Sequence, residues 1–194
     1  LIPFFLAFEG RRPQARELVV LAVMCALAVA GRVAIPIPSF KAIFGIIMIA
    51  GIAFGPESGF LVGAISALAS NFFYSQGPYT PWQMMAYGAG GMLAGFVFAE
   101  GRLPRKPVIM GIFGFLAVTF FVGPLLDTCS VFLVMSRITL KGAMAFYISG
   151  FPVNLRQAIA TAIVLLVLGK PLLDKLDRIK TKYGILDDGG RKEA

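Results

Sequence analysis

The chain has 194 residues, of which 58% are hydrophobic and 14% charged, with a net charge of +8. A water-soluble domain is nearer one quarter charged, so too few polar residues exist to cover a core of this size, and lipid must be the solvent for much of the surface. The 18 Lys and Arg residues cluster between and beyond the apolar segments rather than on one face, which argues against nucleic acid as a partner.

The first stretch, 1–8, is apolar but too short to span a bilayer, and it lacks the basic start of a signal peptide. A first helix is expected over 17–35, long enough at 1.5 Å per residue to cross about 30 Å of hydrocarbon. Pro36 and Pro38 end it. A short second helix is expected over 42–54, stopped by Gly55-Pro56, and a third over 57–73. The polar run 75–80 reads as a turn. Pro81 opens a fourth helix that ends near 99, and a fifth covers 108–126.

The stretch 127–151 carries Asp127, Arg137 and Lys141 and has no uncharged window of about 18 residues. It reads as an ordered connection on one membrane face, partly helical, with a seventh span as the alternative. A sixth helix is expected over 152–168, followed by a basic tail. The fold class is thus an all-α membrane protein, a compact bundle of six transmembrane helices. It divides into an N-terminal segment 1–16, the bundle 17–169 and the tail 170–194. Thirteen basic residues fall on the side of the termini and five on the other (Arg32, Lys41, Arg137, Lys141, Arg156). The positive-inside rule then makes both termini cytoplasmic, in a multi-pass cell-membrane protein.

Two features suggest function. Ala22, Ala26, Ala30 and Ala34 recur every four residues, so they share one helix face. Small residues in that pattern let two helices approach closely in lipid, which suits docking to a separate membrane subunit or packing within the chain. A second stripe, Gly55, Gly59, Gly63 and Ala67, and the pair Gly91 and Gly95 read as internal packing.

The other feature is polarity near the outer face. Asn71, Tyr74, Gln76, Tyr79, Trp82, Gln83 and Tyr87 surround the 75–80 turn, and Asn154, Arg156 and Gln157 stand at the outer end of the sixth helix. Polar groups at membrane depth are costly and usually face a cavity or a partner. Amides beside aromatics favour a pocket for a large amphipathic molecule, although Tyr79 and Trp82 also fit an interfacial aromatic belt.

Much chemistry is excluded. The chain has no histidine, no GxxxxGK[ST] and no paired cysteine motif, Cys25 and Cys129 being isolated. A catalytic triad has no base, and carboxylates are nearly absent from the spans, which argues against an ion-coupled carrier. The chain is not expected to be an enzyme.

The alanine stripe, the run IAFGPESGFLVGAISALASNFFYSQGPYTPWQMMAYGAGGMLAG and the run GFPVNLRQAIATAIVLLVLGKPLLDKLDRIKTKYG resemble the substrate-binding S components of energy-coupling factor (ECF) transporters, most of all the cobalamin-type ones. The resemblance spans about 17–184. It implies a subunit that captures a vitamin at the outer face and passes it inward with a membrane partner, EcfT, and two ATPases, EcfA and EcfA′, which alone use ATP. It implies no covalently bound cofactor, places Ala22, Ala26 and Ala30 at the EcfT interface, and builds the outer pocket from the connections after the first, third and fifth helices and the outer ends of the fourth and sixth. Asn71, Tyr74, Gln76, Tyr79, Trp82, Gln83, Tyr87, Asn154 and Arg156 are then the substrate-binding candidates, Trp82, Tyr87 and Asn154 foremost. A corrinoid would be held by its periphery, without a histidine on cobalt. An S component for another vitamin is the alternative within the family. A scaffold subunit that lacks a ligand is the rival from outside it.

Overall fold

A computed structural model describes residues 15–34, 37, 38, 40–98 and 101–184. The expectations for 1–14 and 185–194 lie outside those residues. Among the described residues the chain forms six helical rods running alternately between two ends of a bundle.

Helix α1 is Ala15–Val33 and α2 is Ile43–Phe54. Every residue of α2 is buried, as befits a helix that is apolar all round. Twelve residues reach only about 18 Å, so α2 forms the centre of the bundle and not a wall. Gly55, at φ 95°, takes a backbone conformation closed to other residues and turns the chain directly into α3, Pro56–Tyr74. Helix α4 is Thr80–Phe98.

Three glycines bring α2, α3 and α4 into backbone contact. A Cβ on Gly59 would lie 2.5 Å from the Gly91 carbonyl oxygen and 2.7 Å from the Gly51 Cα. With no side chain between them, the helices gain dispersion contact along their backbones. The glycine stripe is therefore internal packing.

The fifth rod differs from expectation in length. It begins as α5, Pro107–Ala117, widens into a π-turn at Val118–Val122, and continues as α6, Gly123–Val134. The π-turn has a local cause. Pro124 has no N–H to give to the carbonyl four residues back, and the ladder instead closes five apart, from Gly123 N–H to Val118 O.

The sixth rod begins twelve residues before the expected 152. Helix α7 is Leu140–Val164, followed by a second π-turn at Leu165–Gly169 and α8, Lys170–Tyr183. The stretch 127–151 is thus no interfacial connection and no seventh span. It is the end of one rod, a link at 135–139 and the start of the next. Thr139 caps α7 by accepting from Gly142 N–H, and Pro152 lies inside the helix rather than at its start.

The basic tail is helical as far as Tyr183 and docks on the bundle through buried Leu173 and Leu176. Lys180 donates to the Ala53 carbonyl at 2.6 Å, and Arg105 donates to that of Ile52 at 3.2 Å. Two cations thereby cap the negative end of the α2 dipole. Arg105 also pairs with Asp177, and Arg16 donates to Tyr183 O.

The outer surface is apolar. Phe72 is 75%, Phe120 70% and Leu140 79% exposed, a degree of aromatic and aliphatic exposure that water does not tolerate over so wide an area. Pro107–Val134 and Leu140–Tyr183 are long and apolar enough to cross a membrane.

Candidate functional site

The end of the bundle that carries the 75–80 turn gathers most of the polar candidates. At its centre is Arg32, from the last turn of α1. Its guanidinium donates to Ser70 Oγ and to Asn71 Oδ1, and it stacks over the rings of Tyr74 (5.0 Å) and Tyr87 (5.5 Å). Asn71 is fully buried, and its amide nitrogen donates to Thr80 Oγ1 and Gln83 Oε1. A buried polar group of this kind is costly unless satisfied, and here donor and acceptor are both used. Tyr74 donates to the Arg32 carbonyl, and Tyr87 packs edge-on against Phe44. Gln76 and Tyr79 close the turn itself, donating to the carbonyls of Leu68 and Ser75. The network joins α1, α3 and α4 into one rigid floor.

Beside that floor is an open cavity of about 400 Å³ between α4, α6 and α7. Tyr79 and Gln83 line it from one side, Asp127 and Ser130 from α6, and Asn154 and Val153 from α7, with Leu126 and Leu133 adding apolar wall. Asn154 donates to Asp127 Oδ2 at 2.7 Å across the α6–α7 seam. A second cleft, of about 480 Å³, is almost wholly apolar and is lined by Pro81, Trp82, Met85 and Leu125. The Trp82 indole N–H donates to the Leu125 carbonyl at 2.6 Å, so one bridge between α4 and α6 separates the two clefts.

The nine sequence candidates therefore divide. Tyr79, Gln83 and Asn154 meet in the polar cavity, and Trp82 lines the apolar cleft beside it. Asn71, Tyr74, Gln76 and Tyr87 lie in the hydrogen-bonded floor. Arg156 is exposed on α7 and lines neither cavity. Sequence reasoning did not name Arg32 and Asp127 as site residues. Each carried a signal, a charge embedded in an otherwise apolar run, but Arg32 was counted only for topology and Asp127 only as a break in the apolar window.

Ala22, Ala26 and Ala30 are exposed along α1, and Ala34 is exposed just beyond its end. The opposite face of α1, with Leu21, Met24, Cys25 and Ala28, is the one buried against the bundle.

A family model described as "ECF-type riboflavin transporter, S component" matches residues 13–174, which covers all six rods down to the first turn of α8. No curated protein and no solved structure matches the chain. The match supports the ECF part of the sequence reading and gives no support to its cobalamin part, since the family is described by riboflavin. With its all-helical bundle, lipid-compatible surface and polar cavity at one end, the chain belongs to the family of ECF-type riboflavin transporter S components, vitamin-binding membrane subunits that work with an EcfT/EcfA module and are not enzymes.

Proposed function

We propose that this S component takes up riboflavin or a close flavin, and that the cavity between α4, α6 and α7 is where it is captured. The observation that carries this reading is the cavity itself: about 400 Å³, with polar groups of Gln83, Asp127, Ser130 and Asn154 reaching it from all three helices and apolar surface of Leu126, Leu133 and Val153 between them. An isoalloxazine has a matching mixture, with a benzenoid edge that avoids water and a pyrimidinedione edge of alternating donors and acceptors. A volume of this order suits a three-ring ligand. A corrinoid macrocycle with its nucleotide loop is several times bulkier, so the cobalamin reading is the weaker one.

The rest of the assembly follows from the same reading. The six rods alternate through the bilayer, α2 reaching only part of the way, and the excess of Lys and Arg at the Lys180 end favours cytoplasmic termini and an outward-facing cavity by the positive-inside rule. The exposed alanines Ala22, Ala26 and Ala30 form the face that meets EcfT, and EcfA with EcfA′ hydrolyses the ATP. The vitamin is held without a covalent bond.

Calorimetry on the purified chain tests the ligand. Riboflavin is expected to bind one to one in the absence of ATP, and Gln83→Ala or Asn154→Ala to weaken it by about tenfold to a hundredfold, because each leaves a ligand polar group unpaired. Cobalamin binding by a chain that ignores riboflavin would overturn the assignment.

A further inference from the structure

Asp127 and Asn154 are seated reciprocally. Asp127 is four residues after Gly123 on α6, and Asn154 is four residues after Gly150 on α7. A Cβ on Gly150 would collide with the Asp127 carboxylate, 2.7 Å from its Cγ, and a Cβ on Gly123 would lie 2.6 Å from the Asn154 Cγ. Each polar side chain thus fills the notch left by the other helix's glycine, and the two are joined by the 2.7 Å hydrogen bond. Such packing fixes both rotamers. Asn154 occupies one acceptor position of the carboxylate, which has about four lone-pair sites and so keeps acceptor capacity toward the cavity it lines.

Among the described residues that line the cavity there is no cation, and Asp127 is the one charged member. We infer, resting on the flavin reading above, that Asp127 is a specificity-determining residue that accepts hydrogen bonds from an uncharged vitamin and rejects the phosphorylated form of the same molecule. The size of the site makes the charge felt throughout it. The cube root of the cavity volume is about 7 Å, so a charged group seated inside the cavity lies within about one screening length of the carboxylate at physiological salt. A phosphoryl group brings roughly −1.5 to −2 charges. At that separation and a protein-like dielectric, repulsion is worth on the order of a hundredfold in affinity.

Calorimetry of the purified chain with riboflavin and with riboflavin 5′-phosphate tests this. The phosphate ester is expected to bind the native chain about a hundredfold more weakly. Asp127→Asn should narrow that gap to about tenfold or less, mainly by tightening the ester, and Asp127→Ser should narrow it in the same direction should the first variant fold poorly. Gly150→Ala, which unseats the carboxylate, should shift the ratio as well. Equal affinity of the native chain for both ligands would overturn the inference, as would an unchanged gap in the Asp127 variants, and either result leaves the riboflavin assignment standing. Failure of the folded native chain to bind either flavin would remove the assignment and this inference together.

Discussion

Gly91→Leu is expected to yield no monodisperse protein from detergent. Gly91 lies where α2, α3 and α4 touch, and a Cβ there would already fall 2.7 Å from the Gly59 carbonyl carbon and from Ile47 Cγ2. The obstruction on one side is backbone, which cannot rotate away. Overpacking a core with a single methyl group costs about 1–3 kcal/mol, occasionally more, and a leucine adds three further carbons. Whole-bundle stabilities are about 5–15 kcal/mol, so forcing α3 and α4 apart consumes much of the total. Gly91→Ala is the graded version, expected to lower the melting temperature while leaving some folded chain. Size-exclusion profiles and melting curves in detergent decide the matter. A Gly91→Leu chain that elutes and melts like the native one would mean that the three helices are not in backbone contact.

The second large effect concerns transport and not folding. Ala26→Trp together with Ala30→Trp is expected to abolish uptake, a loss of at least about a hundredfold, while flavin binding to the isolated chain stays within about twofold. Both alanines point away from the buried face of α1, so the indoles meet no part of the bundle. In lipid, helices associate by close packing, and a bulky side chain in the seam holds them apart. Vesicle uptake with the complete ECF complex, alongside binding to the isolated subunit, separates the two. Unimpaired uptake would show that this face does not meet the partner, and joint loss of binding and uptake would show that α1 tolerates no change there.

Elements whose boundaries depend on local chemistry were legible in the sequence. The break at Gly55-Pro56 was readable because glycine and proline are the residues that such a turn demands. The bounds of α2 followed from its unbroken apolarity up to Gly55, and the internal role of Gly59 and Gly91 from their spacing. The 127–151 stretch was misread because charge was given more weight than continuity. Asp127 is held by Asn154 and seated on Gly150, so its cost inside a helix is met by a partner 27 residues away that local reading cannot see. Pro152 misled in the opposite direction. It reads as a first-turn residue, yet it lies inside α7, whose true start is the Thr139 cap. Both errors exchange a tertiary contact for a local rule.

The candidate site was legible as a region but not as a partition. Amides and aromatics near the 75–80 turn marked the correct end of the bundle. Which of them floor the cavity and which line it depends on how α1 and α6 deliver Arg32 and Asp127, and no spacing within 71–87 encodes that. Arg32 takes the Asn71 oxygen and the faces of Tyr74 and Tyr87, Thr80 and Gln83 take the Asn71 amide hydrogens, and Gln83 and Asn154 are left lining the cavity.

The chain has a single tryptophan, Trp82, one residue from Gln83 in the cavity wall. A flavin seated between α4, α6 and α7 must lie close enough to accept its excitation energy. Titrating riboflavin into the purified chain without ATP, and following Trp82 emission, should show saturable quenching of more than about half the signal at one equivalent. Emission that stays constant through saturating riboflavin, or quenching that survives undiminished in the Gln83→Ala, Asn154→Ala double variant, would contradict capture at this cavity.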